Sequence, residues 1–512
     1  MKRYGRYLSF CVLAVLCING PSFATVRLPA VFGDHMVLQQ KATTAFWGWA
    51  DAGETVTVQG SWSATAVSAR TDASGRWTLR LPTPAAGGPF VVHVKGSGND
   101  IELKDVLIGE VWLCSGQSNM VFSLKGSAEA AQEIPQANFP QIRYFSATRQ
   151  YATHDFDDSP GAQWQLCTPQ TAPSFSAVAY YFAKKIQQQL HVPVGILYSA
   201  WGGTPAEAWT PRPVLQGDTL LSRYIDRWKE ICDKVGADSA AYHIALDNWE
   251  KNKSGKKPAE PQTLYYYERP WREPGVLYNG MIAPLIPYTI KGVLWYQGES
   301  NVAYADEYRQ LLTSMIDSWR RAWGAGGRAV SFPFYIVQIA SYGYSSLDAA
   351  ARLREAEYEV SKQELNSGMA VTVDLGDMGN IHYKRKKEAG DRLALIALAR
   401  DYGDKNLVYK GPEAKAARAV HGKIILTFAP SAAGLSGAGG NVKGFEIGYR
   451  DPATDTVRFV TAQAKVEGNK VIIWNEQAVH PVQLRYAWLL AGEANLADQN
   501  GLPAFPFRMA VK

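Results

Sequence analysis

An apolar run passes directly into a polar turn at residues 106–120, which read VLIGEVWLCSGQSNM. The run at 106–113 has the length and composition of a buried β-strand. The turn carries Ser118, and a serine on a tight turn at a strand end can present its hydroxyl while neighbouring backbone N–H groups face the same volume. A plain Ser/Asn helix cap would have the same residues, so the turn alone leaves both interpretations open.

Further apolar runs downstream alternate with segments of helical spacing. Apolar side chains repeat every four residues from Val178 to Leu190 and from Leu311 to Trp323, which predicts two amphipathic helices. Strands that alternate with helices form a parallel sheet covered on both faces, and sites form beyond the carboxyl ends of its strands. The other predicted strands of this sheet lie at 194–199, 292–296, 334–339 and 370–374.

Two of these predicted strands are followed by turns that could bind a developing negative charge. The pair Gly202-Gly203 would let backbone N–H groups approach a ligand closely, because no Cβ atom intervenes, although such turns are common. Gln297 could donate its side-chain amide to an oxyanion, or it could simply bond loop backbone. Each signal is weak by itself.

A histidine follows the last predicted strand. His382 lies shortly after Asp374 and Asp377, so one loop could carry a general base and the carboxylate that fixes its tautomer. A lone histidine is more often structural or merely exposed. The chemical interpretation gains weight because the serine, glycine, glutamine and histidine all fall at one edge of the predicted sheet.

Composition and local patterns divide the chain into segments. Lys2 and Arg3, an apolar stretch and the small residues Ser22 and Ala24 are typical of a signal peptide, which predicts a periplasmic or secreted protein. Short alternating runs before residue 105 and after residue 402 predict β-rich domains. The predicted organisation is a signal peptide at 1–24, an N-terminal β-sandwich at 25–105, a catalytic domain at 106–402 with a largely helical insertion at about 212–272, and a C-terminal β-domain at 403–512.

The overall composition excludes several classes of protein. The 512 residues include 53 Lys and Arg against 47 Asp and Glu, a net charge of +6 without a long basic run, which disfavours a nucleic-acid partner. No later segment approaches the apolar length of a membrane span. Loss of the signal peptide would leave Cys114, Cys167 and Cys232, which allow at most one disulfide. No metal or other cofactor is expected, and no pattern indicates an oligomeric state.

Four groups of residues resemble the sequence blocks of SGNH-type hydrolases, and more narrowly those of the sialate O-acetylesterase family of carbohydrate esterases. They are Gly116-Gln117-Ser118-Asn119-Met120, the glycine turn at Gly202, Gln297-Gly298-Glu299, and His382. The likeness extends to Met36-Val37-Leu38-Gln39, Gly75-Arg76-Trp77, Leu277-Tyr278-Asn279-Gly280 and Gly501-Leu502-Pro503. It therefore covers most of the chain that follows the predicted signal peptide.

The resemblance implies a three-layer SGNH-hydrolase-like α/β fold with a parallel sheet and flanking β-sandwich domains. It implies Ser118 as nucleophile and His382 as general base and later acid. Gly203, with Gly202 less certain, and Gln297 would form an oxyanion hole together with the backbone N–H of Ser118. The third triad member is open, because Gly379 stands where many such enzymes have Asp. The first candidate is Asp377 and the second is Asp374, and a Ser–His dyad with no carboxylate is the remaining alternative.

The expected function is hydrolysis of acetyl esters on sugar hydroxyls, with O-acetylated sialic acid as first candidate substrate. Acetylated xylan or another polysaccharide is the alternative, and a non-catalytic carbohydrate-binding protein is a rival of another class. The aromatic cluster at 265–271 could stack on a sugar, although most large aromatics fill cores. A sialic acid carboxylate would need a basic partner, for which Arg143, Arg269 and Arg272 are candidates.

Overall fold

The structure of the chain is a computed structural model that describes residues 25–324, 329–429, 433–436, 440–489 and 491–512. The predicted signal peptide at 1–24 lies outside these residues. Across the described ranges, no helix combines the length and the apolar composition needed to cross a bilayer. Cys114, Cys167 and Cys232 are all free thiols.

Six short strands joined by tight turns precede residue 100: β1 (Val37–Gln39), β2 (Thr43–Trp49), β3 (Thr55–Gly60), β4 (Val67–Arg70), β5 (Arg76–Pro82) and β6 (Gly87–Lys95). Strand β2 pairs antiparallel with β5, while β3 pairs antiparallel with both β4 and β6. Buried and exposed residues alternate along β5, as expected for a strand with one face on the core.

One long strand, β7 (Asp100–Gly116), connects this region to the centre of the molecule. Its first half pairs antiparallel with β6, and its second half lies in the middle of the central sheet. The two halves meet near Asp105, which has a positive φ of 52°. The predicted boundary at residues 105–106 therefore falls inside a continuous strand, and the predicted domain limits stay predictions.

The central sheet is mostly parallel, as the sequence predicts. Its further strands are β8 (Phe139–Ser146), β9 (Trp164–Cys167), β10 (Val194–Ala200), β11 (Gly292–Tyr296), β12 (Phe334–Val337) and β13 (Ser367–Ala370). The order is β13-β12-β11-β7-β10-β8-β9, and every neighbouring pair is parallel except β8 with β9. Polar turns that follow β7, β10 and β11 therefore lie side by side.

The last predicted strand of this sheet is wrong in position. Residues 370–374 were expected to form it, but the paired strand is β13, which ends at Ala370. Residues 371–373 are buried and two of them are valines, so their composition is that of a strand. These residues nevertheless do not extend the ladder of β13. The Thr372 hydroxyl donates instead to the carbonyl oxygen of Gln338 at 2.5 Å.

Nine α-helices are found in the described residues: α1 (Ser118–Val121), α2 (Ala130–Glu133), α3 (Ala177–Leu190), α4 (Arg212–Gln216), α5 (Ser222–Asn252), α6 (Gln262–Tyr267), α7 (Ala305–Trp323), α8 (Leu347–Gln363) and α9 (Lys386–Arg400). Successive residues of β7 enter two different cores. Trp112 joins the buried side chains of α3 and α9, whereas Val111 and Leu113 join those of α7 and α8. The central sheet thus has helices on both faces.

The chain after residue 413 forms small sheets in which all strand pairs are antiparallel. Its strands are β14 (Ala414–Val420), β15 (Lys423–Phe428), β16 (Leu435–Ser436), β17 (Asn441–Val442), β18 (Phe445–Arg450), β19 (Val457–Thr461), β20 (Gln463–Glu467), β21 (Lys470–Trp474), β22 (Pro481–Tyr486), β23 (Ala497–Asp498) and β24 (Phe507–Ala510). This region contacts α8, since Trp488 Nε1 donates to Asp348 at 2.9 Å and the Trp488 carbonyl accepts from Arg354 at 3.0 Å.

Candidate active site

The predicted turns meet at one edge of the central sheet. Gly116, the last residue of β7, pairs with Ala200 of β10 on one side and with Tyr296 of β11 on the other. The turns after these three strands therefore begin side by side at the same edge of the sheet. The loop that carries His382 follows β13 and leads into α9.

Ser118 begins α1 directly after a turn that requires glycine. Gly116 has φ +136°, and a Cβ atom there would lie 2.1 Å from the carbonyl oxygen of Tyr296. The Gln117 N–H donates to that same oxygen at 2.9 Å, which ties the turn to β11. The half-buried Ser118 lies against the glycine turn, where a Cβ atom on Gly202 would be 3.5 Å from the Ser118 Cβ.

Backbone N–H groups of the serine turn and the glycine turn are free to bind a ligand. Over the described ranges, the N–H groups of Ser118, Gly202 and Gly203 donate to no acceptor in the protein. The Ser118 N–H is free because it belongs to the first turn of a helix. Gly203 has φ +74°, a backbone conformation that glycine adopts without strain. Such fixed donors can stabilise the negative oxygen of a tetrahedral intermediate.

His382 is brought to this corner by the residue next to Ser118. The Asn119 Nδ2 donates to the carbonyl oxygen of Ile381 at 3.2 Å, which fastens the histidine loop to the serine turn. The backbone N–H of His382 donates to Asn380 Oδ1 at 2.9 Å. In the part of the chain that the structure describes, neither the imidazole nor the Ser118 hydroxyl makes a hydrogen bond. Catalytic hydrogen bonds are often long until substrate binds.

Neither predicted carboxylate contacts the His382 ring. Asp377 is exposed, and its Oδ1 accepts the backbone N–H of Gly379 at 2.8 Å. Asp374 accepts two hydrogen bonds from the guanidinium of Arg392, at 2.7 and 2.6 Å. The structure therefore brings Ser118, Gly203 and the His382 loop together but leaves the third triad member unassigned.

Comparison with known proteins identifies the family. Residues 108–242 and 266–399 match the family model described as "Carbohydrate esterase, sialic acid-specific acetylesterase", and together they make up more than half of the chain. The chain belongs to this acetylesterase family. The unmatched residues between the two ranges, 243–265, include the C-terminal third of α5.

Similar proteins of known name support this family assignment. The sialate O-acetylesterase of Homo sapiens is 32% identical over 421 residues, which cover 75% of this chain and 73% of the relative. That of Mus musculus is 31% identical over 441 residues, covering 80% and 79%. The crystal structure of a carbohydrate acetylesterase from Xanthomonas citri superposes with a TM-score of 0.79 at 32% identity, covering 95% of this chain and 99% of that one. The resemblance inferred from the sequence motifs is confirmed.

The side-chain amide of Gln297 is hydrogen-bonded within the protein. Its side chain is completely buried, and its Nε2 donates to Thr204 O at 3.3 Å and to Asn301 Oδ1 at 2.6 Å. Its Oε1 accepts the hydroxyl of Tyr308 at 2.8 Å. Both amide hydrogens have protein acceptors, so in this conformation the side chain braces the loop after β11 and offers no donor to a substrate.

A polar cluster next to Ser118 joins Asn119 and Glu299, which belong to the quoted motifs but were given no role, to Lys386, which lies outside those motifs. The Asn119 amide donates to Glu299 Oε1 at 2.5 Å and accepts from Lys386 Nζ at 2.6 Å. Burial raises the pKa of Glu299 and lowers that of Lys386 to about 7. Burial, followed by the charge of Lys386, also lowers the pKa of His382, which favours the neutral imidazole that a general base needs.

Aromatic side chains border the glycine turn. Trp201 stacks on Trp271 with ring centroids 5.2 Å apart and an interplanar angle of 13°, and Tyr151 lies 6.4 Å from Trp201. Trp271 belongs to the predicted aromatic cluster at 265–271, and its contact with Trp201 connects that cluster to the glycine turn. Trp201 directly precedes Gly202, so this stack adjoins the glycine turn.

Of the three arginines predicted to meet a carboxylate, one contacts the site. Arg272 Nη1 donates to the carbonyl oxygen of Gly203. Arg269 stacks on Tyr265 and donates to the Tyr265 carbonyl, and the buried Arg143 pairs with Asp105 at 2.7 Å. The sequence could not separate them, because the contact between Arg272 and Gly203 joins residues 69 positions apart and depends on how their segments pack.

Proposed function

We propose that this chain removes acetyl groups from sugar hydroxyls by acyl transfer through Ser118. The observation that carries the proposal is the half-buried Ser118 hydroxyl, next to the unused N–H groups of Ser118 and Gly203, on a turn bonded to the His382 loop. Ser115, the other serine of the turn, is completely buried and its Oγ has no partner within the described residues, so a substrate does not reach it.

The proposed reaction has two halves. His382 accepts the proton of Ser118 as Oγ attacks the acetyl carbonyl carbon, and the N–H groups of Ser118 and Gly203 stabilise the oxygen that becomes negative. The bond between the acetyl carbon and the sugar oxygen then breaks, and that oxygen takes the proton from His382. Water attacks the acetyl-enzyme with His382 again as base, which releases acetate and restores Ser118.

The orientation of His382 is part of the proposal. Asp377 is the first candidate for the orienting carboxylate, and this role requires the loop at 377–382 to rearrange, because Asp377 now accepts the N–H of Gly379. A Ser118–His382 dyad is the alternative, supported by the hydrogen bonds between Asp374 and Arg392.

We also propose that the fold is the three-layer arrangement of SGNH hydrolases and that the protein is periplasmic or secreted.

The first candidate substrate is O-acetylated sialic acid. It is supported by the names of the relatives, which are sialate O-acetylesterases, and by Arg272 beside the glycine turn, which could meet a carboxylate. The name of the Xanthomonas citri relative, a carbohydrate acetylesterase, supports the broader class of acetylated carbohydrates, to which acetylated xylan belongs.

The test is acetate release by the purified protein from 4-nitrophenyl acetate, O-acetylated sialic acid and acetylated xylan. We expect Ser118→Ala to lower turnover by about 10⁴-fold or more, as for other serine hydrolases that lose the nucleophile. Ser115→Ala is the matched control, and it should retain activity because the buried Ser115 hydroxyl has no partner among the described residues. Release of acetate from none of the three esters would favour a carbohydrate-binding protein without catalysis.

A further inference from the structure

The glycine turn after β10 is anchored through its carbonyl groups. The Thr204 hydroxyl donates to the carbonyl oxygen of Trp201 at 2.7 Å, which closes the turn. The carbonyl oxygen of Gly203 accepts from Nη1 of Arg272, which lies 69 positions further along the chain. Between these two carbonyls lies the peptide group that joins Gly202 to Gly203, and over the described ranges its N–H donates to no acceptor. The peptide groups on both sides of this unused N–H are therefore anchored.

The peptide group between two glycines needs such anchors. Neither Gly202 nor Gly203 has a Cβ atom, so both tolerate backbone angles that other residues avoid, and Gly203 has φ +74°. Rotation of this peptide group would exchange the positions of its N–H and its C=O. A carbonyl oxygen in place of the N–H would repel the negative charge that develops on a tetrahedral intermediate. The orientation of the turn thus decides whether it offers a donor.

Arg272 is itself held in place at the turn. Its guanidinium lies over the ring of Tyr266, 4.8 Å from the centroid. The preceding residue, Trp271, stacks on Trp201 at the start of the turn. A guanidinium that is already oriented loses little further freedom when it forms a hydrogen bond. The segment therefore contacts the turn twice, through the aromatic stack and through the bond to Gly203.

The hydrogen bond to Gly203 is the polar contact of the Arg272 side chain. Among the described residues, Arg272 forms no ion pair with a carboxylate. Burial raises the pKa of Glu207, and the charge of Arg272 opposes that rise without a direct contact. Removing the guanidinium therefore removes one anchor of the turn and breaks no ion pair within the described ranges.

We propose that Arg272 is a positioning residue that keeps the Gly202–Gly203 peptide group turned so that the Gly203 N–H can serve the oxyanion hole. The proposal rests on the proposed function, because it takes the carbonyl oxygen of the acetyl group to lie at this N–H. In this role Arg272 acts through the Gly203 carbonyl and touches no reacting atom. Contact with the carboxylate of a sialic acid is the alternative role, and the experiments separate the two.

Replacement of Arg272 tests the proposal on 4-nitrophenyl acetate, a substrate without a carboxylate. An oxyanion forms in both halves of the proposed reaction, so we expect Arg272→Met to lower kcat and kcat/KM equally, by about tenfold or more. Arg272→Lys retains a donor and should recover part of the loss. Arg272→Gln, which is shorter and uncharged, replaces Arg272→Met if that variant does not fold. Hydrolysis by Ser118→Ala is subtracted as background.

Arg269→Met is the matched control for these variants. Arg269 lies on the same segment, but its guanidinium stacks on Tyr265 and donates to the Tyr265 carbonyl, so the variant should keep the wild-type kcat. Equal losses in Arg269→Met and Arg272→Met would contradict a specific role of Arg272. A higher KM for O-acetylated sialic acid with unchanged kcat on 4-nitrophenyl acetate would assign Arg272 to the substrate carboxylate and overturn the proposal.

Crystal structures separate the failure of this proposal from that of the proposed function. In Arg272→Met we expect the Gly202–Gly203 peptide group to leave its wild-type orientation, with φ of Gly203 no longer near +74°. If the peptide group turns in the variant but the wild-type protein hydrolyses no acetyl ester, the proposed function fails and the positioning role stands. A turn that keeps its wild-type orientation in Arg272→Met overturns the positioning role, whatever the activity.

Discussion

The ammonium group of Lys386 lies 2.6 Å from Oδ1 of Asn119, the residue that follows the proposed nucleophile. Lys386 is completely buried, and its Nζ lies 3.5 Å from the centroid of the Tyr383 ring. The groups around it are Glu299, which shares the Asn119 amide, the rings of Tyr383, Tyr296 and Phe122, and the nearby imidazole of His382. A cation in such surroundings acts strongly on its neighbours, because little water screens it.

Replacing Lys386 with methionine should move the pH profile of hydrolysis. The charge of Lys386 lowers the pKa of His382, and the base works in its neutral form, so kcat/KM declines as the pH falls through that pKa. In Lys386→Met the pKa of His382 rises, and the acid limb of the profile should shift to higher pH. The profile is measured with 4-nitrophenyl acetate between about pH 4.5 and 8.

The neighbouring lysine provides the control for this shift. Lys387 is exposed and pairs with Asp391 on the surface of α9, so Lys387→Met should leave the acid limb in place. A limb that stays unmoved in Lys386→Met, or moves to lower pH, would show that the Lys386 charge does not act on the catalytic base.

The same lysine should couple folding stability to pH. Burial lowers the pKa of Lys386 from 10.5 to about 7, so between these values the unfolded chain binds a proton that the folded chain lacks. The free energy of unfolding contributed by this residue therefore rises with pH across that window. Urea unfolding at about pH 7 and 9.5 should show a larger gain for the wild type than for Lys386→Met. Equal gains would mean that Lys386 keeps its ordinary pKa in the folded chain.

The central strands could be predicted from the sequence because they consist of continuous apolar runs, and these runs are buried in the structure. Residues 292–296, predicted as a strand, form β11 without a shift, and all five are buried. Strands β8 and β9 escaped prediction, because β8 begins with the half-exposed or exposed residues Phe139, Pro140 and Gln141 and lacks a continuous apolar run. The position of β13 was wrong because valines at 371 and 373 are buried without extending the ladder.

The site could be predicted only where its chemistry follows a strand end. Ser118, Gly203 and His382 all follow predicted strands, and the likeness of motifs supplied the roles expected of them. Lys386 carried no local signal, since it stands in the basic run Lys384-Arg385-Lys386-Lys387, and charged runs are usually exposed to solvent. Its partner Asn119 is 267 positions away, and such a contact depends on the packing of α9 against the sheet.

Replacing Gly203 with alanine should reduce turnover more than it reduces stability. Gly203 has φ +74°, and an alanine there would be strained by about 1 kcal/mol, which would displace the N–H proposed to hold the oxyanion. We expect kcat on 4-nitrophenyl acetate to fall by about tenfold or more. Gly161→Ala is the matched control, because Gly161 has φ +79° with open space around it. It should show the same loss of stability with unchanged kcat; equal kcat values in both variants would remove Gly203 from the proposed oxyanion hole.

Replacing Gln297 with alanine should act mainly on folding. The variant would remove the buried hydrogen bonds that the Gln297 amide makes with Thr204 O, Asn301 Oδ1 and the Tyr308 hydroxyl, and it would open a void. We therefore expect the free energy of unfolding to fall by about 2–4 kcal/mol. Gln310→Ala on the exposed surface of α7 is the control and should change it by less than about 0.5 kcal/mol. Urea unfolding and turnover are measured on the same samples. A steep loss of turnover with unchanged stability would contradict a mainly structural role and would favour the Gln297 amide as an oxyanion donor.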